Sequence, residues 1–247
     1  MFENIIEFSS HEEYVDNGED LPTPIKVNIP EWYKKLQHNV DNHTVKGCMP
    51  FLDTLTTGYS LKIPQDISIT HNVLNNQNKP DSFYRVGDIS DDYFYKKFMN
   101  FNPRSPRFHP KEQMEGSPHL EKNKDLPIYK IHNPWLIKTP PGYSCLFLPP
   151  MNNTDDRFSI IPGIVDTDDF PIEVNFPYLI NGDKYPTLKT LLKKGTPYVQ
   201  VIPFKRESWK MKITKKSSDE IGKHKAFFWF KILHRYKEKF WKKKSWK

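Results

Sequence analysis

Twenty-two prolines are scattered along 247 residues, and that spacing limits what the chain can build. Proline lacks the amide that closes an α-helical turn and clashes with the preceding turn, so helix interiors exclude it. At about 9 per cent of the chain, against a usual 5 or so, and set among short apolar runs, the prolines rule out long helices over most of the sequence. β-Strands and ordered loops are what remain. Apolar content is modest at 36%, yet it includes 17 Phe, 12 Tyr and 6 Trp, so the expected core is packed with rings more than with aliphatic chains. With no repeat period, a chain of this length is expected to form one main domain with extensions.

The organisation reads in three parts. Residues 1–24 are acidic, end in Leu21-Pro22-Thr23-Pro24, and look like an arm or edge segment. Residues 25–214 form the body. There Pro30 opens a short helical turn with Trp32 and Leu36 on one side, and Met49 to Leu55 and Tyr59 to Ile63 read as strands around a Thr56-Thr57-Gly58 turn. Ser90 caps a helix with Asp91 and Asp92 in its first turn; that helix buries Phe94, Phe98 and Phe101 and stops before Pro103. Further strands are expected at Trp135 to Thr139, Tyr143 to Leu148, Ser159 to Val165, Ile172 to Leu179, and from Pro197 through Phe204 to beyond Trp209. Pro140-Pro141-Gly142, Asn181-Gly182-Asp183 and Lys194-Gly195 are the turns between them. Cys48 and Cys145 sit in apolar contexts and read as buried thiols. No signal-type leader opens the sequence and no run approaches the roughly 18 apolar residues of a membrane span, so a cytoplasmic setting is expected.

The third part, residues 215–247, carries most of the charge. Gly222 to Lys247 holds ten Lys and Arg against one acid, Glu238, which gives +9, with eight aromatic residues interleaved. The whole chain is +7, so residues 1–221 sum to −2, and the basic character belongs to an appendage. A helix capped by Ser218 or Asp219 and running to the Lys242 region would place Trp229, Leu233, Tyr236 and Phe240 on one face. Lys231, Arg235, Lys239 and Lys242 would fall off that stripe, and the last residues, Lys242 to Lys247, would fray. Such a helix suits a nucleic-acid backbone, an anionic membrane surface or an acidic protein groove. It equally suits packing of the stripe on its own domain or on a sister subunit.

Several motifs in the body carry a resemblance. Asn133-Pro134-Trp135, Thr139-Pro140-Pro141-Gly142-Tyr143, Gly163-Ile164-Val165-Asp166-Thr167-Asp168 and Lys194-Gly195-Thr196-Pro197, followed by Gln200-Val201-Ile202-Pro203-Phe204, resemble a family of uncharacterised proteins of tailed bacteriophages, marine ones included, with bacterial relatives. The resemblance implies a viral context and synthesis in a host cytoplasm, with the virion as a further location, and no activity. The order Pro-Pro-Gly-Tyr, Gly-Ile-Val-Asp and Lys-Gly-Thr-Pro-Tyr-Val-Gln is also similar to the β-clip proteins, the dUTPase and dCTP deaminase superfamily. That similarity implies Asp166 as a water-orienting carboxylate and Gln200 on the strand after the glycine turn, while Asp168-Asp169-Phe170 replaces the superfamily's Tyr-Arg-Gly. The phosphate-binding Arg-Ser-Ser of that superfamily is absent, and Asn152-Asn153-Thr154-Asp155-Asp156 stands in its interval, an acidic loop that repels a triphosphate.

Other constellations are weaker. His109, Glu112, Glu115 and His119 have metal-like spacing but are interrupted by Pro110 and Pro118. Asp166, Asp168 and Asp169 read as a turn before they read as an acid–base pair or a cation site. No nucleophile elbow, phosphate loop or dinucleotide fingerprint is present. The expectation is therefore a mainly β (α+β) protein, a β-clip or jelly-roll-like barrel with a few short helices and a C-terminal basic amphipathic helix. It needs no cofactor or metal, forms homo-oligomers or docks on a viral or host protein, and works by binding rather than catalysis. Trp229, Lys231, Arg235, Lys239, Trp241, Lys242, Lys243, Lys244 and Trp246 are the residues expected to meet an anionic partner. A divergent nucleotide hydrolase using Asp166, and a virion or assembly component, are the alternatives.

Overall fold

The computed structural model of the protein describes residues 4–17, 20–72, 84–88, 108–123, 126, 128–152, 155–229 and 236–247. The helix expected from Ser90 lies outside them. In chain order the first half comprises β1 (Glu7–Ser9), α1 (Glu12–Asn17), β2 (Thr23–Pro24), α2 (Glu31–Lys35), α3 (Met49–Thr56), β3 (Tyr59–Lys62), β4 (Ile67–Asn72), β5 (Tyr84–Asp88), β6 (Phe108–His109) and α4 (Pro118–Asn123). The second half comprises β7 (Ile128–Ile131), β8 (Leu136–Lys138), β9 (Tyr143–Leu148), β10 (Phe158–Ile160), β11 (Gly163–Val165), β12 (Phe176–Ile180), β13 (Thr187–Leu192), β14 (Pro197–Lys205) and α5 (Ser218–Trp229).

These strands make four antiparallel sheets. The largest has the order β11-β9-β14-β3-β2; the others are β10-β12-β7-β6, β13-β4-β5 and the pair β1-β8. The protein is mainly β with a few short helices, and among the described residues no sheet closes into a barrel. Burial follows the sequence pattern where the pattern is clean. In β4, Ile-Ser-Ile-Thr-His-Asn alternates strictly, with Ile67, Ile69 and His71 inside, as a half-buried strand requires. Against expectation the core is more aliphatic than aromatic, with twelve Ile, Leu and Val residues and seven rings in its main buried cluster, yet the rings meet one another: Phe147 of β9 meets Phe176 of β12 at 5.3 Å, Phe176 meets Tyr198 of β14 at 5.6 Å, and Phe158 stands edge-on to Tyr178. The Phe147–Phe176 and Phe176–Tyr198 contacts tie the largest sheet to the four-stranded one. α1 adds Tyr14 to the same core against Trp135, and its hydroxyl donates to the buried Asp20 carboxylate. Burial and that carboxylate push the Tyr14 phenol well above its usual range.

Four local expectations are corrected. Met49 to Leu55 is helix, not strand: Pro50 occupies the first turn, where its missing amide costs nothing, and Met49 and Leu55 are the buried positions. The run Ser159 to Val165 is two strands in different sheets, β10 and β11, because Pro162 between them has no amide to continue a ladder. β14 stops at Lys205 instead of running past Trp209. Cys48 is exposed; only Cys145 is buried, and both are free thiols. Burial raises the Cys145 thiol to about 11, which leaves it inert at neutral pH. Near the N-terminus β1 pairs with β8 and β2 pairs with β3.

Candidate anion-binding surface and the aspartate turn

The C-terminal segment begins with a capping box. Ser217 Oγ accepts from the Glu220 amide at 3.3 Å, and the Glu220 carboxylate accepts from the Ser217 amide at 2.9 Å. The cap is thus one residue earlier than Ser218, and Asp219 and Glu220 occupy the first turn of α5, where the helix dipole favours acids. Trp229 is the last residue of α5. Lys231, Leu233 and Arg235 lie outside the described residues.

The chain resumes as one π-helical turn, Tyr236–Phe240, closed by the Trp241 amide donating to the Tyr236 carbonyl at 2.8 Å. Tyr236 and Phe240 stand with ring centres 6.5 Å apart, the i, i+4 pair of the expected stripe. The last residues do not fray; they return to the body. Trp241 Nε1 donates to both Asp53 oxygens at 3.1 Å, and the Lys244 ammonium sits on the same carboxylate. Trp246 meets Tyr59 edge-on at 5.9 Å, and the Tyr59 hydroxyl donates to the Lys247 carbonyl at 3.3 Å. One carboxylate on α3 and one ring on β3 therefore anchor the tail.

The anchoring sorts the residues expected to bind. Trp241, Lys244 and Trp246 face the body, while Lys237, Lys239, Lys242 and Lys243 are exposed and form no ion pair among the described residues. What results is a row of unpaired ammonium groups on a backbone held at its end, and such a row attracts anions without first breaking an internal pair.

The aspartates of the β11 turn are held by hydrogen bonds and ion pairs. Asp168 accepts from the Gly142 amide at 2.8 Å and from both terminal nitrogens of Arg206. The Arg206 guanidinium, then the Gly142 amide, hold its carboxyl down at about 2. Asp166 accepts from the Ser144 hydroxyl at 2.6 Å and lies 3.3 Å from Arg206. Arg206 also donates to the Tyr143 carbonyl and to Ser144. One guanidinium therefore ties together the turn before β9, the turn after β11 and the exit of β14. A depressed carboxyl contributes stability that is full above its unfolded value near pH 4 and is lost as pH falls through about 2. Melting temperature measured from pH 5 to 1.5 is expected to fall less steeply below pH 4 in Asp168→Asn than in the parent.

Gln200 is fully buried in β14. Its oxygen accepts from the Met151 amide at 3.0 Å, and its nitrogen donates to the Thr57 and Thr54 carbonyls at 2.7 and 3.2 Å. Phe204 is opposite Ser144, the residue that holds Asp166, and Gln200 is four residues earlier, roughly 13 Å along the strand. The two do not converge on one site. Gln200→Leu is expected to leave three backbone groups without their partner and to cost about 3 kcal/mol, read as a lower denaturant midpoint.

His109 shares a hydrogen bond with Gln113 at 3.0 Å, and among the described residues no group of three or more His, Cys, Asp and Glu gathers to hold a metal. A cavity of about 370 Å³ lies between α4 and the loop after β9, with Phe158, Ile160 and Tyr198 against His119, Asn152 and Asp155. Its rim carboxylates are paired: Asp155 with Arg157, and Asp156 with Lys184 and Tyr185. Asp53 and Arg206 were not singled out in the sequence, since neither lies in a motif; proximity in the fold alone reveals them. Among the described residues no helix is long and apolar enough to cross a membrane. No protein-family model matches the chain, and no curated protein matches it.

Proposed function

We propose that this is a non-catalytic binding protein whose basic C-terminal segment engages the phosphates of a nucleic acid. The observation that carries the reading is the exposed, unpaired row Lys237, Lys239, Lys242 and Lys243, anchored to the body through Asp53 and Tyr59. Lys231, Arg235 and Trp229 extend the same basic stretch in sequence. Trp241 and Trp246 already pack on the body, so these two are not available to anchor an interfacial membrane helix, and the exposed ammonium groups make the main contact. The half-exposed Tyr236 and Phe240 rings supply stacking surfaces for bases.

In this reading the antiparallel β body is a platform, in the manner of the β-clip or jelly-roll proteins that the motifs resemble. The likeness to bacteriophage proteins makes a host cytoplasm, or the virion, the setting of the interaction. The full chain, titrated against labelled single-stranded DNA, RNA and phosphatidylserine vesicles at low and moderate salt, is expected to bind the nucleic acids with affinity that falls steeply with salt. Binding to vesicles alone, or to none of the three, overturns it.

A further inference from the structure

Beyond β14 the chain runs through residues 206–217 without regular structure, and residues 207–216 make no backbone hydrogen bond to any described residue. Within it Trp209, Met211 and Ile213 are 88%, 84% and 84% exposed, and Lys210 and Lys212 alternate with them. Period-two alternation of large apolar and charged residues is the pattern of a strand with one face on a core and one in water. Here the segment pairs with no described strand and its apolar residues are buried against no described residue.

An edge of matching character exists on the same molecule. Among the described residues β11 ends the largest sheet and pairs only with β9. Ile164 on it is 62% exposed, and Ile172 just beyond is 57% exposed. Asp166, Asp169 and Glu173 are exposed around them. Charge is complementary at the level of the whole chain. Residues 1–204 hold 21 bases and 26 acids, a balance of −5, and residues 205–247 hold 16 and 4, a balance of +12, which together give +7.

Trp209 does not reach the edge of its own molecule, so the three apolar residues of the arm cannot lie along that edge together. β14 and β11 are both antiparallel to β9 and finish at the same end of the sheet. Passing from β14 to the outer side of β11 crosses three strand spacings, about 14 Å, whereas the three steps from Arg206 to Trp209 span about 10 Å even when extended. Arg206 is itself pinned to Gly142 and Asp168.

We infer that residues 207–213 of one copy add as a strand to the β11 edge of a second copy, with Trp209, Met211 and Ile213 covering Ile164 and Ile172, and that the exchange is reciprocal, giving a closed pair. This goes beyond the nucleic-acid reading, because it uses a different segment and a different partner.

Sedimentation equilibrium of the full chain over a range of concentration tests it. The parent is expected to sediment at twice the 29.3 kDa chain mass. A Trp209→Ser, Met211→Ser, Ile213→Ser variant and an Ile164→Lys variant are each expected at the single-chain mass, with melting temperature kept, since all four residues are exposed. Mixing the two variants restores a pair, one supplying the intact edge and the other the intact arm. A parent that sediments as a single chain throughout overturns the inference, as does a triple-serine variant that keeps the parent's mass, or a mixture that fails to associate. A triple-serine variant that loses nucleic-acid binding but not mass assigns the arm to that ligand and likewise overturns it. Nucleic-acid binding by the tail stands or falls separately, on lysines that neither variant touches.

Discussion

Replacing Gly58 with alanine is expected to cost about 4 kcal/mol, a large share of the roughly 5–15 kcal/mol that holds a domain together. Gly58 joins α3 to β3 with φ of 81°, a left-handed conformation that costs an L-residue about 1–2 kcal/mol. The larger part is steric. A Cβ there would stand 2.1 Å from the Val201 carbonyl oxygen, which belongs to the central strand β14 and has no rotamer by which to move away. The Gly58 carbonyl also accepts from the Ile25 amide at 3.0 Å, so a shift of the turn disturbs the 3-10 turn at Ile25–Asn28 as well. For a chain of this size the loss corresponds to roughly a 10 °C fall in melting temperature, measurable by calorimetry. The consequence reaches the tail, because α3 carries Asp53; Trp241 fluorescence should report a loosened anchor in the same variant.

The turn at Gly58 was legible in the sequence, and so was most of the sheet that it feeds. Tyr143 to Leu148 announces itself by the Pro-Pro-Gly turn before it and by its short apolar run, and the structure starts and ends β9 at those residues. The helix at Met49–Thr56 was missed because a short apolar run bounded by turn residues fits either state; Pro50 in its first turn was the available sign. β4 and β13 pair along their whole length yet went unassigned: β4 lies beside prolines and asparagines that read as loop, and β13, Thr-Leu-Lys-Thr-Leu-Leu, is only partly buried. The site was less legible than the fold. The sequence reveals the excess of cations, but which tryptophans turn inward depends on Asp53 and Tyr59, more than 180 residues away, and no local pattern encodes that contact. For the same reason Asp166 and Asp168 read as a possible acid–base pair until Arg206 is seen to clamp them.

The second large effect concerns the tail. Lys237, Lys239, Lys242 and Lys243 are exposed and unpaired among the described residues, so changing all four to glutamine removes charge without stripping any described carboxylate of its partner, and the melting temperature is expected to hold. Affinity for single-stranded DNA is expected to fall roughly a hundredfold at low salt, since about four phosphate contacts are lost. Lys244 is left in place because it shares Asp53 with Trp241, and its loss would confuse anchoring with binding.

The most direct test is the slope of log affinity against log salt for single-stranded DNA, measured for the parent and for the four-glutamine variant. Each phosphate contact on a single strand contributes about −0.7 to that slope, so the variant's slope is expected to be shallower by about 3. Equal slopes for the two proteins, or a parent whose binding is insensitive to salt, would contradict the assignment of the C-terminal segment as the anion-binding surface.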